Sequence, residues 1–266
     1  MHMRTRSRNR LSGALDSLRD RVGRSGDRLA ANSQFLAYHD VSLYQEDINA
    51  LENDWLTDTN IAFWQEYLER EVLSHSDCTG ILLLRPTMVF LLRLDSILNV
   101  LSALPPIAGV THIFLPINDN RDPNLPEGGS HWSLLVVSVN DRKAFHYDSL
   151  GGSNRRHARE VAAKVEEWMG YPLNFQDLDD DTPQQGNSYD CGVHVCLNMR
   201  YLLVKRLLDT PPGKGVNMSL KGKQWDARKG RDEMLKIVRG LRRTAERSLS
   251  PGERGRDGVS PTPRIS

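Results

Sequence analysis

The sequence predicts an α+β domain, a central mixed sheet flanked by helices, on three observations. From Phe35 to Leu208, segments of helical period alternate with short segments of strand character. His131 to Val139 (HWSLLVVSV) is a continuous apolar run, as a strand covered on both faces requires. Finally, 39% hydrophobic residues in a chain of 266 suffice for one sizeable core or two small ones.

Taken in order, Met1 to Asn32 is rich in Arg, Ser and Gly, and residues 1–34 read as a basic, disordered arm. Leu11, Leu15, Leu18 and Val22 fall near helical spacing, but Asp16, Asp20 and Asp27 argue against a mitochondrial presequence. The domain is expected over 35–247. Asn60 to Glu71 places Ile61, Trp64, Tyr67 and Leu68 on one helical face. Ile81 to Leu84 is a short apolar run closed by Arg85-Pro86, and Thr87 to Leu104 reads as one long, mostly buried helix ended by Pro105-Pro106. It is also the longest approach to a membrane span, and Arg93 and Asp95 break it. His112 to Ile117, His131 to Val139, Lys143 to Asp148 and Leu173 to Leu178 read as strands, with Asn140-Asp141 as a tight turn. Arg155 to Met169, Cys191 to Leu208 and Asp232 to Arg247 read as helices, residues 211–229 as a flexible insert, and 248–266 as a disordered tail unable to form a core.

The net charge of +1 conceals an asymmetry. Residues 1–32 carry eight Arg against three Asp, and residues 210–266 carry fourteen basic against six acidic residues, which leaves 33–209 at −12. Such a body repels nucleic acid and favours a partner with positive groups; only the basic arms suit an anionic surface. Three cysteines without a CxxC pair exclude a disulfide framework and a structural zinc site, and they point to a reducing compartment, the cytoplasm or nucleus.

Cys191 stands where a polar loop (QGNSYD) meets the helical run. A thiol in the first turn of a helix faces the positive end of the macrodipole, which favours the thiolate. Cys196 and Cys78 read instead as buried structural thiols. A thiolate nucleophile needs a base, and the base an orienting acceptor. His131 opens one strand and Asp148 closes the next; a two-residue turn at Asn140-Asp141 puts Asp148 opposite Ser133 and diagonal to His131. His146 lies on the same face and stays open as the base. Gln185, six residues before Cys191, can present its amide to a developing oxyanion together with the Cys191 N–H. His157 and His194 lack partners at metal-ligand spacing, and no Gly-rich phosphate loop precedes a helix.

His131-Trp132, Asp148-Ser149 and Gln185-Gly186-Asn187-Ser188-Tyr189-Asp190-Cys191-Gly192 together resemble the signature of the Ulp/sentrin-specific cysteine proteases, in the family's order His, Asp, Gln, Cys. Asp54-Trp55-Leu56-Thr57-Asp58 is similar to the family's Trp-Leu-Asn-Asp, with Thr57 departing from Asn, and Phe114-Leu115-Pro116-Ile117-Asn118 extends the likeness. Gly186 stands where related proteins often carry Pro or Gln. The resemblance implies a papain-like fold of the Ulp type, Cys191, His131, Asp148 and Gln185 as catalytic residues, and no cofactor. Its segments are most similar to the deneddylase branch, which removes a Nedd-type modifier. The resemblance therefore implies that modifier and its conjugates, such as cullins, as partners of a monomeric enzyme. It further implies that Trp55 and Trp132 close over the modifier's Gly-Gly tail, since glycine alone lacks the Cβ that two indoles would exclude, with Asp58 as a polar contact. A SUMO protease of the same family, an acetyltransferase with the same site and a non-enzymatic anion-binding adaptor are the alternatives.

Overall fold

A computed structural model describes residues 33–76, 80–125, 128–211, 214–248 and 262–266. Cys78 and the arm before Ser33 lie outside the described residues. The chain enters through a hairpin, β1 (Gln34–Tyr38) and β2 (Val41–Tyr44), followed by helix α1 (Gln45–Asn53); the sequence reading found none of the three. Helix α2 (Asp58–Glu71) buries Ile61, Phe63, Trp64 and Leu68, and its N-terminus is capped by Thr57, whose hydroxyl accepts from the Asn60 N–H at 3.1 Å. Threonine and asparagine both cap helices, so the departure at Thr57 keeps the local geometry.

The central sheet is mixed, in the order β3-β4-β5-β6-β7: β3 (Ile81–Leu83), β4 (His112–Asn118), β5 (Trp132–Ser138), β6 (Lys143–Tyr147) and β7 (Asn174–Asp177). The β3–β4 and β6–β7 pairs are parallel, and β4–β5 and β5–β6 antiparallel. Seven consecutive buried residues in β5 match its apolar run. Trp132, Leu134 and Val136 join the core beneath α2 and α6 (Cys191–Leu202), while Leu135 and Val137 join the core beneath α3 (Pro86–Leu94) and α5 (Arg155–Met169). Side chains alternate across the sheet, so one strand nails together two layers; each fully buried Leu or Val contributes about 1.5–3 kcal/mol.

Four expectations are corrected. The helix expected from Thr87 to Leu104 is two: α3 ends at Leu94 and α4 spans Ile97–Val100. Asp95 breaks it, its carboxylate accepting from Ser96 N–H at 2.7 Å and Asn99 Nδ2 at 2.8 Å, a local alternative to the helical ladder. Nor is it mostly buried, since Leu91, Leu94, Leu98 and Leu101 are exposed. The helix beginning at Cys191 passes after Leu202 into a π-helical turn, Leu203–Leu208. Within 211–229, Met218 and Leu220 are buried and the Met218 carbonyl accepts from the Tyr147 hydroxyl at 2.7 Å, so core contacts anchor this segment; α7 (Ala227–Ser248) begins five residues before Asp232. Finally, Arg264–Ile265, expected within a structureless tail, forms β8, pairing parallel with Ala37 and Tyr38 of β1, and Ile265 packs on the main core.

Candidate active site

The β5–β6 register, Leu134 opposite Tyr147 through Ser138 opposite Lys143, brings Asp148 opposite Ser133 one step further on, around a turn at Asn140-Asp141. His131 therefore reaches its partner: Nε2 lies 2.6 Å from Asp148 Oδ1, and both groups are buried. Asp148 also accepts the Leu150 N–H at 2.9 Å and the Asn154 N–H at 2.7 Å. Burial raises the Asp148 pKa, but hydrogen bonding and charge interaction with His131, with these two amides, hold it below the ordinary carboxylate value. Burial likewise depresses His131, but the hydrogen bond and charge of Asp148, with the nearby Cys191, outweigh that and lift it to about 9.

The loop before His131 is held from outside the sheet. Asp119, at the end of β4, accepts from Ser130 N–H at 2.6 Å and His131 N–H at 3.1 Å, and the Asn154 amide donates to the Ile117 and His131 carbonyls. Sequence reasoning missed Asp119 and Asn154. Both are distant in the chain from the strand they steady, so no spacing marks them.

Cys191 is the first residue of α6, buried, and within interaction range of the His131 ring. His131 Nδ1, the nitrogen that Asp148 leaves unused, has no hydrogen-bond partner among the described residues. The first N–H groups of a helix lack intrahelical acceptors, which makes the Cys191 amide a donor suited to an oxyanion. Gln185 donates Nε2 to the Asn187 carbonyl at 2.7 Å and accepts the Ser149 hydroxyl at 2.7 Å, leaving its second amide proton for the site. Gly192 lets the helix start lie against Leu56, because a Cβ there would meet Leu56 Cβ at 2.7 Å. The helix that begins at Cys191 thus abuts the Trp55-Leu56-Thr57 segment.

Trp55, Asp58, His131 and Trp132 line one groove of about 650 Å³. Its two tryptophans differ: Trp132 is buried with Nε1 donating to the Leu56 carbonyl at 3.1 Å, whereas Trp55 is 40% exposed. Asp58 opens α2 beside them.

His146 is placed away from the groove. Its Nε2 lies 3.0 Å from the Ser133 hydroxyl and its Nδ1 faces Asp177 and Asp179, which makes His131 the base suggested by geometry. His146, Asp177 and Asp179 are also the one group among the described residues arranged as a metal site could be; Arg155 already pairs with both carboxylates. Cys196 is buried inside α6, its pKa pushed well up by that burial, as befits an inert thiol.

An orienting carboxylate, an imidazole and a buried thiol at a helix start, beside a groove lined by two tryptophans, can support nucleophilic acyl transfer. Residues 54–226 match the Ulp1 protease family, C-terminal catalytic domain. The chain is 37% identical to NEDD8-specific protease 2 of Schizosaccharomyces pombe over 213 residues, 78% of this chain and 50% of that protein. It is 34% identical to NEDD8-specific protease 1 of the same organism, over 69% of this chain and 44% of that one; the chain thus spans about half the length of these curated relatives. Among solved structures, the C-terminal Ulp1 protease domain in complex with Smt3, the yeast ortholog of SUMO, superposes with a TM-score of 0.59 over 78% of this chain and 87% of that one, at 22% identity, a likeness of fold. With the α+β architecture and the matched residues agreeing, the chain belongs to the Ulp1 protease family.

Proposed function

We propose that the chain is a cysteine peptidase and isopeptidase acting after the C-terminal Gly-Gly of a ubiquitin-like modifier of the Nedd type, in deconjugation and in precursor processing. The observation that carries this reading is the convergence of Cys191, His131 and Asp148, spread over sixty positions of the chain, beside the tryptophan-lined groove. The Nedd-type preference is supported by two relatives, 37% and 34% identical, both named NEDD8-specific proteases.

The Cys191 sulfur, as the thiolate of an ion pair with the His131 imidazolium, attacks the carbonyl of the modifier's terminal glycine. The tetrahedral oxyanion receives hydrogen bonds from the Cys191 N–H and from Gln185. His131, a cation at neutral pH by virtue of its raised pKa, gives its proton to the leaving amine, and a thioester remains. A water, deprotonated by the now neutral His131, cleaves the thioester and releases the Cys191 sulfur as the thiolate beside the restored imidazolium. Substrate lysines of conjugates, cullins among them, are the leaving groups, and the enzyme acts as a monomer in the cytoplasm or nucleus. An acidic body attracts a modifier whose tail carries basic residues.

The test incubates the protein with Nedd-type modifier, SUMO and ubiquitin, each carrying a C-terminal fluorogenic amide. Turnover of the Nedd-type substrate, abolished in Cys191→Ala, is the expected result; equal or preferred SUMO turnover overturns the specificity, and turnover that survives Cys191→Ala overturns the mechanism.

A further inference from the structure

Arg231 lies on α7, outside the residues that match the family, and is 2% exposed. Its guanidinium spreads over two segments remote in sequence. Toward the nucleophile, Nε donates to Asp190 Oδ1 at 2.8 Å and Nη2 to the Tyr189 carbonyl at 3.3 Å. Toward the groove, Nη1 donates to the carbonyls of Ala50 at 2.8 Å and Leu51 at 3.2 Å, and Nη2 to that of Asp54 at 2.7 Å.

Both ends continue into the site. Asp190 precedes Cys191, and its second oxygen accepts the Asn187 amide at 2.7 Å; Asn187 in turn receives Gln185 Nε2 on its carbonyl. Ala50 and Leu51 form the last turn of α1, which has no basic residue of its own there, and Asp54 precedes Trp55. A cation at a helix C-terminus complements the dipole and bonds its last carbonyls; here α7 supplies it, sharing the Ala50 carbonyl with the Asp54 N–H. The planar fork of arginine reaches both segments at once, which a lysine ammonium cannot.

We infer that Arg231 is a positioning residue that couples the oxyanion side of the site, through Asp190, Asn187 and Gln185, to the tail-binding side, through Asp54 and Trp55. The inference rests on the proposed peptidase reading only in its kinetic arm.

The test uses the full chain as wild type and as Arg231→Lys, which keeps the buried cation and loses the fork. Without substrate, amide hydrogen exchange is expected to rise about tenfold in both 50–56 and 185–190 while β4 and β5 keep their protection. Unchanged exchange in either segment, or a rise across the whole sheet, overturns the inference. On whichever modifier amide the wild type cleaves, Arg231→Lys is expected to lower kcat about tenfold and raise KM about threefold. The kcat loss should vanish in a Gln185→Ala background and the KM shift in a Trp55→Ala background, because each deletes the group through which Arg231 acts. Losses of equal size in all backgrounds mark a merely structural residue and overturn it. A wild type inert on every modifier refutes the proposed function, and the exchange measurement then decides the inference alone.

Discussion

His131 and Asp148 stand at neighbouring ends of β5 and β6, where backbone pairing sets their separation and two further amides lock the carboxylate. Gln185 and Cys191 ride on a loop and a helix start, and the 184–190 loop is ordered mainly by side chains: Gln184 donates to the carbonyls of Asp148, Asp179 and Thr182, His194 Nδ1 lies 3.0 Å from the Pro183 carbonyl, and Asn187, Asp190 and Arg231 form a chain of polar contacts. The His131–Asp148 half is thus built on a ladder, and the Gln185–Cys191 half on a polar network reaching as far as α7. A ladder tolerates the loss of a single side chain geometrically, whereas a network loses its neighbours' positions as well.

The largest effect expected from this difference is chemical. Asp148→Asn leaves the register intact but deprives the imidazolium of its counter-charge, so kcat should fall about 10²–10⁴-fold, with an unchanged circular dichroism spectrum; a loss of folding would instead show the hairpin to depend on that carboxylate. Next comes the groove. Trp132→Ala empties a buried site and should cost about 3–5 kcal/mol by urea titration, whereas Trp55→Ala should change stability by less than about 0.5 kcal/mol and raise KM. Equal stability losses would contradict the assignment of Trp55 as a solvent-facing lid.

Asn187→Ala probes the network half. It removes the acceptor of the Tyr189 and Asp190 N–H groups and the donor to Asp190, so a stability loss of about 1–2 kcal/mol should accompany a fall in kcat. A fall in kcat as small as the stability change of a surface site would separate the loop from the oxyanion. A further effect, of a different kind, is pH linkage. His131 is raised in the folded state to about 9, so its stabilising contribution is complete below its unfolded pKa of about 6.5 and is lost as pH rises from there through 9. Asp148, held low, contributes above its unfolded value and loses that contribution as the solution is acidified through the folded one. Urea unfolding between pH 6 and 10 should therefore show a decline that Asp148-paired His131 accounts for, and His131→Gln should flatten it; a decline that persists in the variant would place its origin elsewhere.

The same contrast explains what was readable in the chain. Strand alternation and the Asn140-Asp141 turn predicted the His131–Asp148 contact, because register is a local property of a hairpin. Helix α5 was recovered from Arg155 to Met169, closed by Gly170 in the left-handed conformation. The β1–β2 hairpin was missed because its turn uses His39 at φ 47° in place of the Gly or Asn that usually marks such a turn. The break at Asp95 was missed because a single capping carboxylate interrupts an otherwise continuous apolar pattern. Arg231 read only as one basic residue among many on an amphipathic helix.

Sequence alone determined the residue types of the site, their order and the hairpin that brings the imidazole to its carboxylate, since these depend on periodicity and short-range pairing. Tertiary structure alone decided that His146 turns toward Asp177 and Asp179, that β8 completes the small sheet beside β1, and that a guanidinium from α7 reaches both sides of the site. Those contacts join segments up to 227 residues apart, the separation of Tyr38 from Ile265; long-range pairs of this kind leave no local pattern because packing energy, not propensity, selects them.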